Sequence, residues 1–473
     1  MSLQPEPAAA PVEANPYLET IFAPVREETT ADALEVITGE VPRDLAGVYV
    51  RNGPNPRFDP LGRYHWFDGD GMLHALRFAS GRASYRNRWV RTDGFRREDA
   101  AGRPLWRGIM EPFASNPPDA PEKDTANTDV VFHRGRLLAL WYRCGVPYAV
   151  DAETLETLGP DDLGGALPCP VSAHAKLDAA TGELFWFHYG LRAPYLHFGV
   201  TGADGRLAHF QPVEVPGPRL PHDMAITERH AVLMDLPLFP DPEALRRGRH
   251  KIRFDRSLPS RFAVVPRSGG APRWFEAEPT YIYHVINAWE DGETIVLDAC
   301  RVKKPEPSVP ADRASALASM LAYLRLDAHV QRYRFDLRTG ACTEQTLDDD
   351  NVEFPTIDRR RMGRHTRYGY AMHISDEPTL RFDGVVRYDL EGGARTRHDF
   401  GPGRWGSEAA FAPRTGATGE ADGYLVSIVR DEREGTTEAV VLDAQQLDRG
   451  PVARLRIPAP VPLGFHATRA QLL

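Results

Sequence analysis

Cysteines and long hydrophobic runs are both scarce in this sequence. Its 473 residues include four scattered cysteines and no Cys-x-x-Cys pair: Cys144, Cys169, Cys300 and Cys342. Cysteines in this pattern predict neither a disulfide framework nor a zinc cluster, so we expect reduced thiols. No window approaches the roughly 18 apolar residues of a membrane-spanning helix. Residues 1–14 lack the basic start and apolar stretch of a secretory signal, so we expect a disordered or extended tail and a cytoplasmic location.

An excess of positive charge is also absent. The chain carries 57 Lys and Arg residues against 66 Asp and Glu residues, a formal net charge of −9. A net negative charge provides no electrostatic attraction for nucleic acid or an anionic membrane. The basic run from Arg359 to Arg361 follows Asp358, which is typical of a solvated surface turn. No G-x-G-x-x-G follows a predicted strand and there is no phosphate loop, so we expect no nucleotide cofactor.

Short apolar segments bounded by turn residues recur along the chain and predict an all-β fold. The clearest are residues 47–50, 136–141, 183–187, 294–297 and 423–429. The spacing between turns varies too much to count structural repeats from the sequence. One helix is predicted over residues 310–325, where Leu317, Met320, Leu321 and Leu324 recur at helical spacing and would pack on the β-body as a cap. The apolar, proline-containing loop from Leu236 to Pro240 is expected to be buried or to line a pocket rather than to meet lipid.

Four of the sixteen histidines have apolar or small neighbours: His174, His222, His284 and His466. They are too far apart along the chain to form a short-range chelate such as H-E-x-x-H. They can converge only if separate strands meet at a common axis, as the inner strands of a β-propeller do around its central channel. Their spacing alone leaves a four-histidine site as one interpretation among several.

Several longer motifs resemble the carotenoid cleavage oxygenase family, and the resemblance extends from about Asn15 to the last residues. The matching segments are residues 51–56 (RNGPNP), 66–74 (WFDGDGMLH), 126–128 (ANT), 222–223 (HD), 287–290 (NAWE) and 464–466 (GFH). The resemblance implies a seven-bladed β-propeller with a helical and loop cap, which we expect to form a single domain over residues 15–473. It also implies that His174, His222, His284 and His466 hold Fe(II) on the propeller axis.

The resemblance further implies partners for these histidines. Glu353 would bond His284 and Glu408 would bond His466, because a ligating imidazole usually gives its other N–H to a carboxylate. A third glutamate is usual in the family where this chain has Tyr142. A phenol there can orient His222 but carries no negative charge, so the metal would be slightly more electron-poor.

Two aromatic residues are the candidate substrate contacts. Relatives that cleave phenolic stilbenes or isoeugenol commonly have a lysine where this chain has Trp141, so an apolar side chain favours a polyene over a phenol. Neighbouring residues of a strand point to opposite sides, so Trp141 can equally face away from the pocket. Phe67 is the other candidate, as a wall of the pocket or as part of the core.

The sequence therefore predicts an Fe(II) dioxygenase that cleaves a C=C bond of an apolar conjugated substrate with O2. Imidazole ligands suit iron, and four of them leave coordination positions vacant. An apocarotenoid is the expected substrate, with a stilbene or propenyl phenol as the alternative. Two hypotheses from other classes are a metal-dependent propeller hydrolase or lactonase, which would usually recruit carboxylate ligands, and a non-catalytic binding platform. Weak peripheral membrane contact and the oligomeric state are left open.

Overall fold

The structure is a computed structural model that describes residues 14–164, 167–306 and 315–471. Within these residues the chain forms antiparallel sheets that divide into seven blades, here called blades 1 to 7, of which blades 6 and 7 are joined in one ten-stranded sheet; the strands are labelled β1 to β33 in chain order. Blade 1 contains β1 (Thr30–Ala31), β3 (Gly47–Arg51), β4 (Met72–Ala79), β5 (Arg82–Trp89) and β33 (Ala467–Ala470). Blade 2 contains β6 (Asp129–His133), β7 (Arg136–Leu140), β8 (Tyr148–Asp151) and β9 (Thr157–Pro160). Blade 3 contains β10 (Lys176–Leu177), β11 (Leu184–Tyr189), β12 (Leu196–Thr201) and β13 (Leu207–Pro212).

The second half of the chain repeats this arrangement. Blade 4 contains β14 (Ala225–Ile226), β15 (His230–Asp235), β18 (Ser260–Pro266) and β19 (Arg273–Ala277), with the hairpin of β16 (Leu238–Pro240) and β17 (Ile252–Phe254) inserted. Blade 5 contains β20 (Tyr281–Asp291), β21 (Thr294–Val302), β22 (Ala328–Asp336) and β23 (Cys342–Thr346). Blade 6 contains β24 (Val352–Thr356), β25 (Tyr368–Ile374), β26 (Phe382–Asp389) and β27 (Arg395–Asp399). Blade 7 contains β2 (Glu35–Gly39), β29 (Ala410–Pro413), β30 (Gly423–Asp431), β31 (Thr436–Asp443) and β32 (Pro451–Ile457), and β28 (Arg404–Gly406) joins it to blade 6.

Strands from the two ends of the chain close the ring of blades. The C-terminal strand β33 pairs with β3 in blade 1, and the N-terminal strand β2 pairs with β32 in blade 7. The innermost strands of adjacent blades also touch, because β33 contacts β6 and β29, and β20 contacts β14 and β24. The architecture is therefore the seven-bladed β-propeller that the resemblance implies.

Apolar side chains fill the spaces between the blades. The central strands β21 and β30 are buried along nearly their whole length. This burial explains why the sequence shows apolar segments at residues 294–297 and 423–429. In contrast, β5 alternates between buried and partly exposed residues, which is the pattern of a strand with one face in the core. Trp186 of β11 is completely buried in the cluster between blades 2 and 3. The core is thus divided among the blade interfaces.

Helices and loops form the cap. The α-helices are α1 (Asp93–Ala101), α2 (Pro242–Arg246) and α3 (Ala316–Leu324), and the short 3-10 helices are Pro16–Leu18, Thr20–Phe22, Trp66–Asp68, Phe113–Ser115, Arg359–Arg361 and Leu447–Arg449. Helix α3 confirms the predicted helix from Ala316 onward, and Met320 and Leu324 are buried as expected. The predicted start at residues 310–314 lies outside the described residues, as do residues 1–13 of the predicted tail. No helix of the described chain is long and apolar enough to cross a membrane.

Two further predictions about local structure are confirmed. Leu236, Leu238 and Phe239 are buried, and the segment pairs with β17 instead of facing outward. The basic run from Arg359 to Arg361 is a single surface turn in which Arg360 bonds the side chain of Asp358. The four cysteines are free thiols, of which Cys300 is buried and the others are half-buried.

Candidate metal centre

The four predicted histidines converge on the propeller axis. His174 stands two residues before β10, His222 three residues before β14, His284 lies within β20, and His466 immediately precedes β33. Each therefore sits on or next to the innermost strand of a different blade, and these are the strands that line the central channel. One ring nitrogen from each residue lies within 4.8 Å of the corresponding atoms of the other three.

The four rings are packed against one another and are largely shielded from solvent. Ring centroids are 4.5 Å apart for His174 and His466, 4.5 Å for His284 and His466, and 4.8 Å for His174 and His222. His174 has a backbone φ of 66°, a left-handed conformation that is uncommon outside glycine. Its backbone N–H donates to Asp129 of β6, at 3.0 Å, which helps hold this conformation. Strained backbone of this kind is concentrated at functional sites.

Burial favours the neutral form of three of the four imidazoles. Burial lowers the pKa of His174, His222 and His284, and the neighbouring imidazoles lower it further. For His222 the pKa falls to about 3. A neutral imidazole offers a free lone pair, which is the form that binds a metal ion.

The unpaired nitrogens of the cluster fit a bound cation. Nε2 of His174 and Nε2 of His284 are buried, and neither has a hydrogen-bond partner among the described residues. Buried polar atoms without partners are costly in a folded protein and call for a specific explanation. Four converging imidazoles are a donor set for a borderline transition metal. The four histidines can therefore hold a metal ion together.

Both predicted glutamates stand next to the predicted histidines. Nδ1 of His284 is 2.5 Å from Oε2 of Glu353, which comes from β24 of blade 6. Nδ1 of His466 is 3.4 Å from Oε1 of Glu408, whose other oxygen accepts the backbone N–H of Ala467. These contacts leave Nε2 of each ring directed toward the shared centre and fix the ring orientation.

Two aspartates near the histidines were not predicted from the sequence. Oδ2 of Asp129 accepts the backbone N–H of His174 and lies 3.8 Å from its Nδ1. Oδ2 of Asp223 accepts the N–H of Val285, the residue after His284, at 2.8 Å, and its Oδ1 pairs with the Lys176 ammonium at 2.6 Å. Both aspartates belong to motifs singled out in the sequence, since Asp129 follows the segment 126–128 and Asp223 follows His222. The sequence signal that could have identified these two aspartates was their position in or directly after a recognised motif.

With Glu353 and Glu408, these aspartates form a set in which each carboxylate joins adjacent blades. Asp129 connects blade 2 to blade 3, and Asp223 connects blade 4 to blade 5. Glu353 connects blade 6 to blade 5, and Glu408 connects blade 7 to blade 1. The histidines are therefore held through the blade interfaces as well as by their own strands.

Tyr142 does not make the contact with His222 that the sequence suggests. Its ring centroid lies 6.3 Å from that of His222, and no hydrogen bond joins the two side chains within the described residues. Burial raises the pKa of Tyr142 to about 12, so the phenol stays protonated. The ring of Tyr283 packs edge-on against His222 at 5.1 Å. His222 thus has aromatic neighbours where His284 has a carboxylate.

A mainly apolar cavity of about 470 Å³ opens beside the histidines and is here called the histidine cavity. Its lining consists of Trp66, Phe67, Thr128, Tyr142, His222, Tyr283, His284, Leu324, Leu326, Phe354, Leu380, Phe465 and His466. The cap supplies Leu324 from α3 and Phe67 from a 3-10 helix. Phe67 therefore lies where the sequence suggests, at the wall of the pocket. Enclosed apolar sites with few polar groups are typical binding sites for small molecules.

Trp141 lines a cavity other than the histidine cavity. It is absent from the lining of the histidine cavity and instead lines a second cavity of about 760 Å³. Tyr142 and Phe67 line both cavities and pack edge-on at 5.1 Å. The suggestion that Trp141 faces away from the histidines is thus correct, but the side chain faces a second pocket.

Comparisons with known proteins agree with this geometry. A family model described as "Retinal pigment epithelial membrane protein" (RPE65) matches residues 22–470. The Pisum sativum carotenoid 9,10(9',10')-cleavage dioxygenase 1 is 35% identical over 489 residues, covering 95% of this chain and 89% of the relative. Lignostilbene dioxygenase from Pseudomonas brassicacearum superposes with a TM-score of 0.87 at 30% identity, covering 98% of this chain and all of the other.

A variant of the Synechocystis apocarotenoid oxygenase superposes with a TM-score of 0.84 at 27% identity, covering 95% of this chain and 97% of the other. The family match spans nearly the whole propeller and includes all four histidines. The chain therefore belongs to the RPE65/carotenoid cleavage oxygenase family.

Proposed function

We propose that this protein is a non-haem iron dioxygenase that cleaves a C=C bond of an apolar conjugated substrate with O2, giving two carbonyl products. The main observation that supports this proposal is the convergence of four imidazoles beside an apolar and aromatic cavity. Three of these imidazoles have a lowered pKa. Membership of the family supports the reaction class, because its named relatives include carotenoid cleavage dioxygenases. The reaction balances when each carbon of the broken double bond gains one oxygen atom.

The proposed iron ligands are Nε2 atoms of His174, His222, His284 and His466. Ferrous iron, when bound, would supply open coordination positions at which O2 can bind beside the alkene, and the C=C bond itself would supply the electrons that reduce O2. Glu353 and Glu408 orient the His284 and His466 rings through Nδ1 and strengthen them as donors. Because the carboxylates already hold these rings in place, the rings need to move less when a metal ion binds.

The cavity walls orient the substrate and exclude water. Phe354 stacks on His466, with ring centroids 4.5 Å apart and an interplanar angle of 16°, so one face of the cavity is a flat aromatic surface next to the metal site. Phe67 and Phe465 form another aromatic pair, at 5.0 Å. Flat rings of this kind bind a planar conjugated chain through its faces and edges. We infer that an apocarotenoid is the preferred substrate and a stilbene the alternative.

The test is a substrate panel offered to iron-loaded protein under oxygen, with the products identified by mass. We expect two carbonyl products from a polyene aldehyde, less product from a hydroxystilbene, and none from either substrate with the His284→Ala variant. His373→Ala is the matched control, because His373 forms a similar pair with Asp383 at 2.7 Å on blade 6 and does not line the histidine cavity. Cleavage of neither substrate class by the wild type would refute the proposal, and esterase activity with bound zinc would favour a hydrolase.

A further inference from the structure

Two histidines face each other on blade 3, away from the propeller axis. His188 lies near the end of β11 and His197 near the start of β12, and they are directly opposite in the antiparallel pairing of these strands. Directly opposite residues project from the same face of a sheet. Their ring centroids are 5.6 Å apart. In the four-histidine cluster the corresponding separations are 4.5 to 5.2 Å, so this pair is only slightly wider.

The hydrogen bond of His188 determines which of its ring nitrogens is free. Nδ1 of His188 lies 2.9 Å from the carbonyl oxygen of Pro170. A carbonyl only accepts, so Nδ1 carries the proton and Nε2 of the neutral ring carries the lone pair. A metal-ligating imidazole typically gives its other N–H to such a carbonyl. Gly190 leaves space beside this lone pair, because a Cβ added there would approach Nε2 to 3.4 Å.

His197 has a ring nitrogen that no protein group satisfies. Its Nδ1 is buried and has no hydrogen-bond partner among the described residues. The ring is held in place by Phe210, which stacks on it with a centroid distance of 5.1 Å and an interplanar angle of 4°. A buried polar atom without a partner calls for a specific explanation. A cation between the two imidazoles would provide that explanation.

Both imidazoles are in the protonation state that binds a metal ion. Burial lowers the pKa of His188 and of His197, and the neighbouring His197 ring lowers the pKa of His188 further. Each ring is therefore neutral at pH 7 and offers a lone pair. The pair thus combines a defined tautomer, an unpaired nitrogen and a short separation between the rings.

We propose that His188 and His197 together bind a second divalent cation of the borderline class, such as Zn²⁺ or Cu²⁺. Nε2 of His188 and Nδ1 of His197 would be the ligands. Imidazole suits these ions, and water would fill the remaining coordination positions. Among the described residues, the four histidines on the axis are the one cluster of three or more potential metal ligands, so the pair on blade 3 is a separate, two-ligand site. This inference is independent of the reaction proposed above.

A cation at this pair would support the wall of the histidine cavity through Tyr189. Tyr189 follows His188, and its hydroxyl donates to the carbonyl oxygen of Tyr142 at 2.6 Å. Tyr142 in turn lines the histidine cavity. Because the cation would fix the end of β11, it would stabilise this contact. Zinc should therefore raise the unfolding temperature of the wild type.

The test is a zinc titration of the iron-loaded protein under nitrogen, followed by competition with a chelator of known affinity. We expect one zinc ion to bind while the iron content stays unchanged. His188→Gln and His197→Gln should each weaken zinc binding by about 100-fold, because a single imidazole loses the gain from joining two binding groups. The control is His209→Gln, since His209 is a half-buried histidine of the same blade whose Nε2 pairs with Gln211. This control should bind zinc as tightly as the wild type.

X-ray absorption at the zinc edge of the wild type provides a second measurement that does not depend on how the variants fold. The spectrum should show two coordinated imidazoles together with oxygen ligands. The inference would be overturned if the wild type bound no zinc beside its iron, or if the spectrum did not show two imidazoles. Unchanged zinc affinity in both His188→Gln and His197→Gln would overturn it as well, and so would an equal loss of affinity in His209→Gln.

Discussion

Nδ1 of His284 lies 2.5 Å from Oε2 of Glu353, and the two residues belong to adjacent blades. Glu353 is completely buried, and the same oxygen accepts the backbone N–H of Phe354 at 2.7 Å. Burial raises the pKa of Glu353 and lowers that of His284. A bound cation beside the imidazole would favour an ionised carboxylate at this position, so the pair and the metal are expected to stabilise each other.

The first prediction concerns Glu353→Gln, which keeps the size of the side chain and removes the charge. We expect metal affinity to fall about 10- to 100-fold, the usual cost of losing a carboxylate behind a metal-bound histidine. Competition with a chelator of known affinity measures the change. Glu290→Gln is the control, because Glu290 lies toward the opposite end of β20 from His284 and bonds Thr227 and Arg229. Equal metal affinity in both variants would argue against the role of Glu353.

Asp129→Asn tests the carboxylate that the sequence did not reveal. Asp129 accepts the backbone N–H of His174, so the amide should loosen the left-handed backbone that aims this ring. We expect about tenfold weaker metal binding together with a lower unfolding temperature. Asp178→Asn should lower the unfolding temperature as well, because Asp178 pairs with Arg267 and Arg364. If Asp178→Asn weakened metal binding as much as Asp129→Asn does, the weaker metal binding of Asp129→Asn would result from general destabilisation of the fold.

Tyr142→Phe distinguishes a metal-orienting role from a substrate role. The rings of Tyr142 and His222 lie 6.3 Å apart and no hydrogen bond joins the two side chains, so removal of the Tyr142 hydroxyl should leave metal content unchanged. We expect KM for a polyene aldehyde to change instead, because the ring lines both cavities. Metal analysis and steady-state kinetics on one preparation separate these effects. A loss of metal in Tyr142→Phe would restore the interpretation that its hydroxyl supports His222.

The structural contribution of a buried ion pair gives a prediction independent of the metal. Arg332 makes two hydrogen bonds of 2.7 Å to the carboxylate of Asp298, which is fully buried in blade 5. Asp298→Ala leaves the guanidinium unpaired and should lower the free energy of unfolding by about 3–5 kcal/mol. Denaturant titration measures this loss. Replacing both residues with Leu and Met should recover much of the stability, and failure to do so would indicate a different origin for the loss.

The fold and the four histidines could be predicted because the motifs around them are specific. Irregular turn spacing concealed the number of blades, and the closure depends on β2 and β33, which lie at opposite ends of the chain. Pairings between residues hundreds of positions apart leave no local signal. Strands β21 and β30 were recognisable because burial on both faces requires mostly apolar segments, here residues 294–297 and 423–429.

Contacts between blades limited the prediction of the site. The roles of Asp129 and Asp223 depend on backbone N–H groups of the next blade, which a sequence pattern does not reveal. Tyr142 was assigned to His222 by position, and the structure places its ring 6.3 Å from that of His222, where it lines both cavities. The second cavity was not predicted either, because its lining is assembled from cap loops and blade residues that are distant in sequence.

The metal content of His174→Ala, relative to the wild type, tests the central claim most directly. His174 touches each of the other three histidine rings, at 4.5 to 5.0 Å, so its loss removes one imidazole from the middle of the cluster. We predict one iron per chain in the wild type, a large loss of iron in His174→Ala, and unchanged iron in the control His373→Ala, with all three proteins folded. Stoichiometric iron that persists in His174→Ala would contradict the four-histidine site.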